Sequence, residues 1–357
     1  MSALPFLPDA CVQWLRDRVR ARRFDRELAH RMSRLDNARA NPAAALDAVL
    51  LQIIQRPAMT NLRKGAPDTT SVLKDKAEQA RSLLGNIHME DTPGALLALT
   101  RWMASADARD ADCFHAYGLA FCLVHAPLLD ALRKRLTPQV VMHMTCEARI
   151  ARARQSAESF TELQAQGVSQ INVVGSDTEV HRFTWDDELD ALRVPVPDTY
   201  DHLAGKVAAA YFLLGLLPHV RVVMKVDDDH RAGHVVPLKR VLNRAARCEA
   251  PTQWGHRYHS PYPAGHNRIW HLGKCGEAHI NHVPHTYMGA ITWCTGEHGY
   301  VLNRAALLRF VWAHVYFGEL VRTALYEDAF VSDTLVRLGG RMRPAPMTQA
   351  LRAVDAY

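Results

Sequence analysis

Apolar positions along the chain change their period near residue 136. Before it they recur at helical spacing. In the clearest case Leu46, Val49, Leu50 and Ile53 follow Asn41-Pro42, a capping residue and a proline suited to a first turn, and predict a helix with one buried face. Residues 57–72 read as a loop, and further helices are expected over 73–85, 93–105 and 111–134. From Pro138 short apolar runs alternate with helical segments. Val140–Met142 and Gln170–Val174 predict two strands with a basic helical stretch over 148–163 between them. Residues 201–214 place Leu203, Val207, Tyr211 and Leu214 on one helical face and lead into a third strand, Val220–Val226. This alternation predicts an α/β fold with a mostly parallel central sheet over residues 136–357, behind an all-helical domain over residues 1–135. Ligands in such sheets sit beyond the carboxyl ends of the strands.

A length of 357 residues suits two domains, and 48% hydrophobic with 22% charged residues excludes a disordered or fibrous chain. The excess of 43 basic over 37 acidic residues is mild. It suits a nucleotide, an acidic glycan or an anionic membrane surface and does not point to nucleic acid. Eight arginines between Arg16 and Arg34 are interleaved or flanked by Asp17, Asp25, Glu27 and Asp36. They read as a solvated helix face, with docking to a membrane surface or acidic partner as the alternative. Seven cysteines lack any C-x-x-C pair, which argues against a disulfide framework or zinc ribbon and fits a reducing cytoplasm. The opening residues reach charge too soon for a signal peptide, and no window is long enough to span a bilayer, so any work at a membrane is expected from its surface.

The chemistry concentrates where the third strand ends, at Asp227, Asp228, Asp229 and His230. Adjacent carboxylates repel one another, so their crowding calls for a cation or a basic partner. In extended backbone Asp227 and Asp229 point to one side and can share a metal while Asp228 points away. Hard oxygen ligands favour Mn²⁺ or Mg²⁺, which would bridge to diphosphate oxygens. The plainer reading is an ordinary acidic turn.

Four segments in order shift that balance. Val222–His230 reads VVMKVDDDH; upstream, DTYDHLAGK contains Asp198, Tyr200, Leu203 and Lys206; downstream lie Thr295–Asn303, with Gly296, Gly299 and Tyr300, and Tyr326–Ser332, with Glu327 and Asp328. Together they resemble the β-1,3-galactosyltransferase and Fringe-like family of inverting glycosyltransferases over about residues 138–340. The resemblance implies a GT-A-type domain, an Asp-x-Asp metal site at Asp227 and Asp229, and a catalytic base at Asp328, with Glu327 as the alternative. It also implies donor contacts from Asp227, Asp228, Asp198, Tyr200, Lys206, Gly296, Gly299 and Tyr300. A weaker match at Thr145, Glu147, Arg149, Arg152 and Arg154 puts Arg149 near the nucleotide. The pattern is not complete. His202 replaces the usual Asn, the glycine segment is one residue longer with Asn303 for Ser, and no histidine follows His314 to complete the metal shell. His230, His298 or water is left for that position. Read alone, Asn303 is an N-cap and the Glu-Asp pair a helix N-terminus.

The implied reaction moves a hexose or N-acetylhexosamine from a UDP-sugar to a glycan or glycolipid, with Asp328 taking the acceptor proton. Trp254, Tyr258, Trp270 and Trp293 fall in an aromatic-rich stretch that suits a sugar-binding wall, or equally an ordinary core. An Ala/Arg-rich composition suggests a bacterial cytoplasmic enzyme in polysaccharide biosynthesis, peripheral at the inner face of the membrane. Two rivals stand beside this reading: a metal-dependent phosphohydrolase or nucleotidyltransferase, and a non-catalytic glycan-binding protein.

Overall fold

The computed structural model describes residues 9–63, 110–178, 182–289, 291–322 and 324–353, with a few isolated positions between 78 and 99. Two compact units separate, one drawn from residues 1–89 and 96–123, the other from 90–95 and 124–357. The first contains α1 (Asp9–Ala38), α2 (Pro42–Arg63) and nearly all of α3 (Asp110–Val124). Asn41 Oδ1 accepts the Ala44 N–H at 3.2 Å, and Leu46, Val49, Leu50 and Ile53 are all buried, as their spacing predicts. Residues 57–63 are helical and not loop. Pro57 lies inside this helix and forfeits one intrahelical bond, while Ala58, Met59, Leu62 and Arg63 around it favour the helical state. The helices expected over 73–85 and 93–105 lie almost wholly outside the described residues. The single helix expected over 111–134 is two, because Pro127 starts a new first turn in α4 (Ala126–Arg135).

The second unit continues with β1 (Gln139–Met144), α5 (Ile150–Glu158), α6 (Thr161–Ala165), β2 (Ser169–Val174), β3 (Thr184–Asp186) and β4 (Ala191–Arg193). Then come α7 (Leu203–Leu216), β5 (Val222–Asp227), β6 (His230–Ala232), α8 (Val235–Ala246), β7 (Thr252–Gly255) and β8 (Arg257–His259). β9 (His266–Arg268), β10 (His285–Tyr287), β11 (Thr292–Cys294) and β12 (Tyr300–Asn303) precede α9 (Arg304–Arg322) and α10 (Glu327–Arg337). β13 (Arg341–Pro344), α11 (Met347–Ala350) and β14 (Leu351–Ala353) close the described chain.

Eight strands form one sheet in the order β13-β7-β12-β5-β1-β2-β4-β3. The block β5-β1-β2-β4 is parallel, as the strand–helix alternation predicts. The sheet as a whole is mixed: β7 and β13 run with that parallel block, and β12 and β3 run against it. β12 runs antiparallel to both β5 and β7, and β3 antiparallel to β4, which it reaches through a tight reversal at residues 187–190. On one face Val222, Met224 and Val226 of β5 join Val141, Trp254, Val301, Leu238 and Leu242 in a core closed by α8. The opposite face is covered by α7, α9 and α10. α7 departs from the one-faced helix expected, since every residue from Ala204 to Leu216 is buried; a helix apolar all round belongs between layers. Among the described residues no single helix is long and apolar enough to cross a membrane.

Candidate metal-binding and acid–base site

β5 delivers the acidic cluster. Its even-numbered residues enter the α8-side core, so Lys225 and Asp227 share the other face, two residues apart. Lys225 Nζ lies 2.7 Å from Asp227 Oδ1. Asp228 turns away and is buried, accepting the Thr145 hydroxyl at 2.9 Å. Burial raises its pKa against that bond. Its carboxylate therefore braces the β1 and β5 termini. Asp227, Asp229 and His230 offer ligand atoms all within 4.8 Å of one another, the one such group among the described residues. Two carboxylates and an imidazole suit a divalent cation. His298, the other candidate for a third ligand, is not in the group; its ring stands edge-on to His256 at 4.8 Å.

His230 is itself committed to the loop. Its Nδ1 accepts the Asp227 N–H at 2.8 Å and its Nε2–H donates to the Glu297 carbonyl. A metal at Nδ1 requires that first bond to open; otherwise His230 shapes the turn and leaves the ion to Asp227 and Asp229.

The antiparallel pairing of β12 with β5 brings the rest of the site into place. Tyr300 is the register partner of Lys225, so the glycine segment before β12 arrives beside the acidic cluster. Gly299 has φ +61°, and a Cβ there would stand 2.9 Å from the Lys225 carbonyl oxygen, so both conformation and space require glycine. A Cβ on Gly296 would come within 3.1 Å of Glu327 Oε2 and 3.2 Å of Lys225 Nζ. Its N–H donates to Asp328 Oδ2 at 3.0 Å. Glu327 and Asp328 open α10, whose dipole favours acids there. Glu327 is buried, takes Lys225 Nζ at 3.0 Å on Oε2 and the Tyr300 hydroxyl on Oε1. Burial works against the Lys225 ammonium, but Asp227 and Glu327 outweigh it and hold the group protonated. Burial pushes Glu327 up to about 7 against the pull of Lys225. Asp328 is also raised by burial, though the Gly296 and Ala329 N–H groups pull it back. Asp227, Glu327 and Asp328 thus gather around one ammonium.

The segment ahead of α7 acts as a brace. Asp198 accepts the Gly175 and Glu147 N–H groups, both at 2.7 Å, and Lys206 Nζ at 2.9 Å. Lys206 also donates to the Thr145 carbonyl at 3.1 Å and is buried. These two residues, expected at the donor, tie together the loops that follow β1 and β2. Gly175 permits this, since a Cβ there would meet the Val196 carbonyl oxygen at 2.5 Å. Burial, with the charges of Asp328 and Asp227 behind it, pushes the Tyr200 phenol up to about 12. Arg149 is exposed just after β1, and its charge acts on Asp228. Arg152 is nearer the cluster, 3.9 Å from Asp228 and 3.7 Å from Asp229.

The four aromatics expected at a sugar-binding wall divide. Trp254 is 1% exposed in the sheet core and takes no part. Tyr258 and Trp293 face each other across the β8–β11 pair at 5.0 Å, and Trp270 meets Trp293 at 5.7 Å and Tyr326 at 5.2 Å. Tyr326 immediately precedes Glu327 and Asp328, so this cluster borders the acid site; Trp270 is 38% exposed. Lys225 lies within the Val222–His230 motif, and its part in the site appears only in the fold. The available signal was a lysine inside an apolar strand, two residues before an aspartate.

No protein-family model matches the chain, and no curated protein is significantly similar to it. The Asp227–Asp229–His230 group is consistent with a metal-binding enzyme.

Proposed function

We propose that the chain is an inverting, metal-dependent glycosyltransferase that moves a hexose or N-acetylhexosamine from a UDP-sugar to a glycan or glycolipid acceptor. One observation carries this reading: residues 102 positions apart, Lys225 and Glu327, join at 3.0 Å, so the acidic end of β5 and the Asp328 end of α10 form one site. A cation held by Asp227 and Asp229 would supply counter-charge for a diphosphate. Asp328, half-buried at a helix start and raised by burial, suits a base that accepts a hydroxyl proton. Trp270, with Tyr258 and Trp293 behind it, offers a stacking face for an acceptor sugar beside that base. The same reading includes work at the inner face of a bacterial membrane.

The test is a panel of UDP-sugars with Mn²⁺, followed by thermal stabilisation and by product analysis with and without glycan acceptors. A UDP-sugar stabilises the protein only with Mn²⁺, and acceptor glycosylation follows. Asp328→Asn keeps that stabilisation and loses about 10²- to 10⁴-fold in turnover. Release of free phosphate or nucleotidyl transfer without glycosylation would move the protein to the phosphohydrolase or nucleotidyltransferase class. Near-full turnover by Asp328→Asn would remove the base assignment.

A further inference from the structure

A buried ammonium in the middle of an apolar strand is strongly disfavoured unless something depends on it. The Lys225 side chain is 1% exposed. Its Nζ reaches forward to Asp227 Oδ1 at 2.7 Å and across to Glu327 Oε2 at 3.0 Å. Tyr300, opposite it in the β12 register, holds the other oxygen of Glu327. The first residue of α10 is therefore pinned from two adjacent strands, and the backbone that carries Asp328 is pinned with it. On its other side the same ammonium occupies one oxygen of Asp227. We infer that Lys225 is a positioning residue: it fixes the helix bearing Asp328 against the acidic cluster and leaves Asp227 a single free oxygen for a cation.

This inference rests on the proposed glycosyl transfer for its meaning but makes a claim of its own. Geometry and electrostatics pull in opposite directions. Without the ammonium, Asp227 recovers its second oxygen and the cluster gains negative charge, so a divalent cation binds more tightly. Without the tether, Asp328 loses its place, and small displacements of a reacting group cost large factors in rate. A lysine that merely supported the fold would weaken metal binding and turnover together.

The experiment uses the full chain, with Mn²⁺ titrated alone by calorimetry, steady-state kinetics on the UDP-sugar turned over by the wild type, and amide hydrogen exchange over residues 326–331. Lys225→Met is expected to bind Mn²⁺ about tenfold more tightly. Its kcat falls about 100-fold while the UDP-sugar KM stays within about threefold. Exchange at the start of α10 quickens. Lys225→Arg, which keeps a cation able to span both carboxylates, keeps wild-type Mn²⁺ affinity and an intermediate kcat. Weaker Mn²⁺ binding by Lys225→Met, or a kcat within twofold of wild type, overturns the inference. If Lys225→Met does not fold, Glu327→Gln decides: faster exchange over 326–331 without gain in Mn²⁺ affinity supports the tether, and unchanged exchange refutes it. If the wild type transfers no sugar, the proposed function fails, while Mn²⁺ affinity and exchange still judge the tether.

Discussion

Lys225 pairs with Asp227 and Glu327 while the charge of Asp328 stands close by, so the crowding of negative charge is relieved by the deeply buried acid keeping its proton. That acid is Glu327, pushed from 4.5 to about 7. Below pH 4.5 it is protonated folded and unfolded alike, and its contribution is fully present. Between 4.5 and about 7 the unfolded chain has released the proton while the folded protein retains it, so stability falls as pH rises. Glu327→Gln removes this titration. Its melting temperature relative to wild type should rise between pH 4.5 and pH 7.5; a pH-independent difference would show that Glu327 is ionised throughout. For Asp328 the raised pKa means that its ionised form appears at higher pH than for an ordinary aspartate. The acid limb of kcat should accordingly lie above the usual 3.8, measured with Mn²⁺ saturating at each pH. The acidic residues are plain in the sequence, but their charge states depend on burial and on the pairing of Lys225 with Glu327, which no local pattern reveals.

At the scale of elements, the β12–α9 junction shows how one residue secures the site from a distance. Asn303 Oδ1 accepts the Ala306 N–H at 3.1 Å, capping α9, and the Thr252 N–H at 3.0 Å. Its Nδ2 donates to the carbonyls of Cys248 and Ala250. The cap was legible from Asn303 preceding a helical run; the grip on β7 was not, since it crosses 51 residues. Asn303→Ala should cost about 3 kcal/mol, the cap plus buried unpaired groups, and lower the melting temperature by about 6–12 °C. Activity at low temperature should survive. Gly299→Ala is different, because its Cβ would press on the Lys225 carbonyl from a left-handed backbone. It should lower both stability, by at least about 1 kcal/mol, and kcat. A variant that lost neither would mean the loop has room that its geometry denies.

At the scale of the molecule, two compact units predict two unfolding transitions rather than one. The acid site belongs wholly to the second unit. Mn²⁺ with a bound UDP-sugar should therefore raise only the transition of that unit, by about 2.7 kcal/mol of stability at a hundredfold excess over Kd. Chelation should reverse it. Calorimetry that gave one transition, shifted as a whole by Mn²⁺, would show that the units unfold together.

Sequence alone determined what repeats at short range. The helical period before residue 136, strands expected at residues 140–142, 170–174 and 220–226 and found at 139–144, 169–174 and 222–227, the Asn41 and Asn303 caps and the acidic run ending β5 all follow from neighbouring side chains and backbone preference. Tertiary structure decided what depends on pairings far apart in the chain. The antiparallel insertion of β12 beside β5 set Tyr300 against Lys225 and brought Glu327 to the same ammonium. Asp198 and Lys206 likewise join the loops after β1 and β2, and Trp254 lies in the sheet core. The reason is physical: a strand's alternation states which side chains share a face, but which partner that face meets is fixed only when the sheet closes around it.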